Sequence, residues 1–145
     1  MTNSHEVIEL PDVNVLLALT VASHIDHAKA KAWYLEGNPF ALTPVTEMGL
    51  VRLLMNPGIP DCGYSAQEAL ATLADLKASA NCHFWPDDVS VFTTPNLATS
   101  LHGYRQVTDL HLLDLAIKNN GRLLTCDAKI ASSLRNNPMR HIRTL

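Results

Sequence analysis

The stretch Val107–Asp127, VTDLHLLDLAIKNNGRLLTCD, holds a helix, its stop, a strand and an acid at the end of that strand. Thr108 reads as the helix cap, and Leu112, Leu113, Leu115, Ala116 and Ile117 as the apolar positions. Asn120-Gly121 closes the helix. Arg122–Cys126 is then a short apolar strand, and Asp127 follows it. Upstream the pattern recurs: Asp12 follows a strand over Val7–Leu10, and Glu47 follows one over Phe40–Val45, each leading into a helix-period segment.

The remaining segments keep this alternation. Ser23 and Asp26 mark a helix start, with Ile25, Ala28, Ala32 and Leu35 at helical spacing until Gly37-Asn38-Pro39 stops it. A helix from about Glu47 to Met55 ends at Asn56-Pro57-Gly58, and Ser65 with Glu68 forms a capping box for a helix through Leu76. His83-Phe84-Trp85 is a short strand ended by Pro86, and Thr94-Pro95 opens a short helix with proline in its first turn. Ala128–Leu134 is a last helix and His141–Thr144 a final edge strand. Strand–helix alternation predicts an α/β domain: a central, mainly parallel sheet of four to five strands, covered by helices on both faces.

At 145 residues the chain has the length of one domain, and 47% apolar against 17% charged residues allows a packed core. The longest near-apolar run, Val13–Ala22, is too short to span a membrane, and the acidic N-terminus does not read as a signal peptide. Cys62, Cys82 and Cys126 are odd in number and far apart, which predicts buried free thiols in a reducing cytoplasm. The net charge of −3 is unevenly distributed: residues 105–145 carry seven basic and three acidic side chains, the first 104 residues four and eleven. That bias suggests a polyanion-facing C-terminal region, or a solvated helix face.

Asp12, Glu47, Asp109 and Asp127 all fall at strand-to-helix crossings or helix starts. Right-handed crossovers put such junctions along one edge of a parallel sheet, where ligands bind. Helix starts favour acids through their dipoles by roughly 0.3–1 kcal/mol each, too little to hold several carboxylates together. Crowded carboxylates need protons or a cation, and an all-oxygen donor set suits Mg²⁺ or Mn²⁺. Such a site can activate water and stabilise the charge that grows on a phosphodiester during in-line attack.

Leu10-Pro-Asp12-Val-Asn14, Thr46-Glu47-Met-Gly-Leu-Val-Arg52, Val107-Thr-Asp109-Leu-His-Leu-Leu and Leu124-Thr-Cys-Asp127 resemble, in order and spacing, the four acidic motifs of the PIN-domain ribonucleases, and within them the VapC toxins. The likeness runs from about Val7 to Ala131 of a single domain spanning residues 1–145. It implies a three-layer α/β/α fold and endonucleolytic RNA cleavage dependent on Mg²⁺ or Mn²⁺, leaving 5′-phosphate and 3′-hydroxyl ends. It also implies frequent homodimers and a VapB-like antitoxin that inserts a segment into the active-site groove. Asp12, Glu47, Asp109 and Asp127 fall on the metal-binding, catalytic acids, Asn14 and Thr46 on supporting polar positions, and Arg52 on a neighbouring arginine. Asp114 departs from the pattern; it lies about 140° round the helix from Asp109 and is read as a solvated or ion-paired acid outside the site.

Other readings are weaker on the residues. Asp12-Val-Asn14 lacks the second acid of the haloacid-dehalogenase phosphatases, a receiver domain lacks its paired acids and late lysine, and no glycine-rich phosphate loop is present. Arg52, on a helix apolar nearly all round, needs a carboxylate partner, in the acidic cluster or in a structural ion pair. His24 and His27 stand one turn apart without a third ligand, and Trp33, Tyr34, Phe84 and Trp85 read as core or interface. Arg105, Lys129 and Arg135 are candidates for steering an RNA backbone. The alternative to a nuclease is a non-catalytic PIN-fold partner that docks an antitoxin and acts as its co-repressor on DNA.

Overall fold

The computed structural model describes residues 6–95, 97–133 and 141–145. The strands are β1 (Glu9–Pro11), β2 (Phe40–Leu42), β3 (Cys82–Phe84), β4 (Arg122–Thr125) and β5 (Ile142–Thr144). The helices are α1 (Val13–Thr20), α2 (His27–Leu35), α3 (Pro44–Met55), α4 (Ala66–Lys77), α5 (Val107–Lys118) and α6 (Ala128–Ser133), with short 3₁₀ turns at Ala98–Ser100 and Tyr104–Gln106. The five strands lie in the order β3-β2-β1-β4-β5, and every pairing is parallel. β1 is central, with Glu9 opposite both Phe40 and Arg122, and Pro11 opposite Leu124.

Alternate strand residues point to opposite faces, and this divides the core in two. Phe40, Leu42 and Leu124 pack with Leu16, Trp33, Leu50 and Leu54 under α1–α4. Leu10, Ala41 and Leu123 pack on the other side with Trp85, Leu110, Leu113 and Ile130. The result is three layers, α/β/α, as expected. No helix among the described residues is long and apolar enough to cross a membrane.

Several boundaries differ from the sequence reading, each for a local reason. β1 starts two residues later than Val7, which is exposed, and β2 ends at Leu42 because Thr43 and Pro44 already begin α3. There the Thr46 hydroxyl accepts the Thr43 N–H at 3.2 Å and donates to the Thr43 carbonyl at 3.0 Å. α2 starts at His27 rather than at a Ser23 cap, because the Ser23 hydroxyl bonds Asp61 instead. Its expected apolar stripe faces outward, with Ile25 93% and Leu35 72% exposed, while Ala30 and Trp33 are buried. α5 is entered directly from a 3₁₀ turn, so Gln106 is its cap and Thr108 lies inside the first turn. Thr94-Pro95 leads through a turn, the Leu97 N–H donating to the Thr94 carbonyl at 3.3 Å, to the short 3₁₀ helix Ala98–Ser100, with Thr93 and Thr94 bonded to Asp114. The capping box at Ser65 and Glu68 forms as read, and the edge strand near the C-terminus forms as β5. Leu134 lies outside the described residues.

Candidate active site

The carboxyl ends of β1 and β4 lie side by side, joined by the Asp12 N–H donating to the Leu124 carbonyl at 2.9 Å. Asp12 caps α1, its Oδ1 accepting the Val15 N–H at 2.8 Å, and it is 3% exposed. Asp127, after β4, accepts the Lys129 N–H on Oδ1 at 2.9 Å and stays exposed. Between them stands the buried Thr125: its hydroxyl accepts the Asp127 N–H at 3.0 Å and hydrogen-bonds the Asp12 carboxylate. Asp109 reaches the same place from the first turn of α5.

The electrostatics show the crowding. Asp109 is pushed up to about 6, first by burial and then by the charges of Asp12 and Asp127. Burial also raises Asp12, and Asp127 adds to it, against the stabilising bonds from the Val15 N–H and Thr125. Three of the four expected acids therefore act on one another. Glu47 does not join them: its Oε2 lies 3.4 Å from the Lys77 Nζ, and its charge contributes to neither the Asp12 nor the Asp109 shift. Among the described residues no three or more acids, histidines or cysteines are set closely enough to hold a metal ion.

The supporting positions divide in the same way. Asn14 is exposed between two hollows. One, of about 350 Å³, is lined by Asp12, Asn14, His24, Asp26, Thr125 and Asp127; the other, of about 410 Å³, by Val13, Asn14, Met48, Gly49, Arg52 and Thr108. Thr46 is buried and occupied in starting α3. Arg52 is exposed and pairs with no carboxylate among the described residues, contrary to the expected burial. α3 buries Leu50 and Leu54 but leaves Met48, Arg52 and Met55 on an outer face. His24 and His27 are committed locally, His24 Nδ1 accepting the Asp26 N–H and the His27 ring bonding the Ala18 carbonyl. The Cys126 thiol is pushed up to about 11, chiefly by burial and then by Asp26 and Asp12, so it stays neutral. All three cysteines are free and partly buried.

Asp114 is neither solvated nor ion-paired. It is 1% exposed and accepts the N–H groups and hydroxyls of both Thr93 and Thr94. Of the basic residues expected to face a polyanion, Arg122 and Arg143 pair with the buried Glu9, and Lys118 pairs with Asp88. Arg105 and Lys129 are exposed, and Arg135 lies outside the described residues. Thr125 was not singled out from the sequence; its signal is its place two residues before Asp127, in phase with the strand.

The sequence model of the family described as PIN domain matches residues 10–133. The chain is 39% identical over 127 residues to Ribonuclease VapC39 of Mycobacterium tuberculosis, covering 86% of this chain and 91% of that protein. It is 36% identical over 138 residues to Ribonuclease VapC38 of the same species, covering 94% and 96%, and 38% identical over 126 residues to its Ribonuclease VapC44, covering 84% and 87%.

Proposed function

Because the chain belongs to the PIN-domain family, we propose that it is an endoribonuclease of the VapC kind, dependent on Mg²⁺ or Mn²⁺. The observation that carries this reading is the convergence of Asp12, Asp109 and Asp127, with Asp109 driven up to about 6 by burial and by its two neighbours. The donor set is entirely carboxylate oxygen, the chemistry of a hard divalent cation. Asp12, held by the α1 N-terminus and Thr125, would hold the ion together with Asp109 and the exposed Asp127. A divalent ion held there would supply Lewis-acid polarisation of the phosphate and activation of water. Asn14 borders the cluster and orients substrate, while Glu47, tied to Lys77, is not counted among the direct ligands.

The same acids draw the remaining proposals. A VapB-like antitoxin neutralises the enzyme by covering the hollow lined by Val13, Met48 and Arg52 beside them. The protein works on cytoplasmic RNA, as a homodimer. The test is cleavage of total cellular RNA by protein stripped with EDTA and then supplied with Mg²⁺ or Mn²⁺. Cleavage requires the added ion, and Asp12→Asn and Asp109→Asn each lower it about a hundred- to a thousandfold, since several kcal/mol of transition-state stabilisation go with the metal. Undiminished cleavage in EDTA, or by both variants, refutes the proposal.

A further inference from the structure

We infer that His24, on the turn between α1 and α2, binds RNA in the acid hollow by donating its Nε2–H to a phosphate oxygen. This rests on the ribonuclease reading and adds a substrate-binding residue to it. The hollow of about 350 Å³ that opens on Asp12 and Asp127 is lined also by His24 and Asp26. The Cys126 thiol reports the same proximity. Beyond the effect of burial it is raised by Asp26 and then by Asp12, so the turn and the acid both lie beside it.

The bonding of the ring decides what it offers. A backbone N–H can only donate, so His24 Nδ1, which takes the Asp26 N–H at 3.0 Å, carries no proton. The ring proton is therefore on Nε2, which has no hydrogen-bond partner among the described residues. His27, one turn on, is held in the opposite form: its Nδ1 meets the Ala18 carbonyl at 2.8 Å, a pure acceptor, and must itself donate. The turn that carries His24 is pinned as well. The His24 N–H donates to the Val21 carbonyl and the His24 carbonyl accepts the His27 N–H, both at 3.0 Å, while the Ser23 hydroxyl bonds Asp61. A donor preset in this way loses little freedom on binding.

The hollow is short of such donors. The Thr125 hydroxyl is spent on the Asp12 carboxylate, and the Cys126 thiol is a weak donor. Among the lining side chains that leaves the Asn14 amide and the His24 Nε2–H to offset the repulsion between the acids and a phosphodiester. A cationic side chain of a protein partner would satisfy the acids but leave the His24 donor unmet. A phosphate oxygen supplies the acceptor.

The experiment measures steady-state cleavage of a fluorogenic pool of short, random-sequence oligoribonucleotides, in Mg²⁺ or Mn²⁺, by the wild-type protein and by His24→Ala, His24→Asn and His24→Gln. Asparagine keeps an acceptor where Nδ1 stands and lacks the outer donor; glutamine carries an amide N–H to the place of Nε2. His24→Ala and His24→Asn are each expected to raise KM about tenfold with kcat nearly unchanged, since a hydrogen bond to a charged oxygen made before and during cleavage is uniform binding. His24→Gln recovers most of that loss. Nitrogen NMR of the histidine rings is expected to show the His24 proton on Nε2. Circular dichroism confirms that the variants are folded. If His24→Asn cleaves as the wild type does, if His24→Gln is no better than His24→Ala, or if the ring proton is on Nδ1, the inference falls and the ring only props the turn. If the wild-type protein itself cleaves no RNA, the ribonuclease reading fails first and takes this inference with it.

Discussion

Asp109 shows how little room the cluster leaves for charge. Its carboxyl group is raised to about 6 in the folded protein, so between the ordinary carboxylate range and pH 6 the folded state holds a proton that the unfolded chain has lost. Stability of the metal-free protein is therefore greatest at the acid end of that window and falls as pH rises through about 6. Asp109→Asn removes the repulsion and should raise stability at pH 7 by on the order of 1 kcal/mol, a figure discounted for the partial exposure of the group. Urea unfolding in EDTA at pH 5 and pH 7 checks this: the gap between the two values should shrink in the variant. Asp12, Asp109 and Asp127 were legible because position relative to strand ends follows from periodicity alone. The direction of Glu47 was not legible, because it is set by Lys77, thirty residues away on another helix. The exposure of Arg52 is hidden for a related reason: apolar neighbours on its own helix do not reveal that the face of α3 carrying Met48, Arg52 and Met55 is left open by the other described residues.

At the scale of elements, helices and strands were readable and the irregular crossover between β3 and α5 was not. Asp114 looked like a surface acid because its partners, Thr93 and Thr94, lie about twenty residues away in that crossover. Burying a carboxylate without a cation is tolerable only when hydrogen bonds satisfy its oxygens. Asp114→Ala strands those donors and should lower stability by about 3 kcal/mol. Hydrogen exchange provides a second check, with the Thr93 and Thr94 amides losing protection before the sheet does. Gly49 marks another contact invisible from spacing. A Cβ there would lie 2.6 Å from Val13 Cγ2, where α3 crosses the first turn of α1. Alanine gains up to about 1 kcal/mol of helix propensity, but Val13 is stiff at χ1 and cannot swing aside freely. Gly49→Ala is therefore expected to be net destabilising by about 1–2 kcal/mol, read as a lower midpoint in urea.

Over the whole molecule the sheet separates two kinds of charge. Its carboxyl end holds the repelling acids; its other end holds Glu9, 1% exposed, paired with Arg122 at 3.3 Å and Arg143 at 3.2 Å and accepting the Trp33 indole N–H at 2.9 Å. The C-terminal excess of basic residues is thus partly structural, tying β4 and β5 to β1, which composition alone could not distinguish from a nucleic-acid surface. Glu9→Gln should cost about 2–3 kcal/mol of stability, since it breaks a buried ion pair while leaving the arginines a route to water. RNA cleavage per folded molecule should persist, because the substitution lies at the far ends of the strands; parallel urea titrations and cleavage assays separate the two effects.

The central strand has a last consequence for synthesis. β1 is made early, yet one of its two neighbours is β4, more than a hundred residues later in translation order. Contacts so distant form late, after the intervening chain is available. Until Leu124 and the residues after it have cleared the ribosomal exit tunnel, Asp12 has no Asp127 beside it, and under the proposed mechanism a prematurely terminated product is expected to spare the transcripts around it.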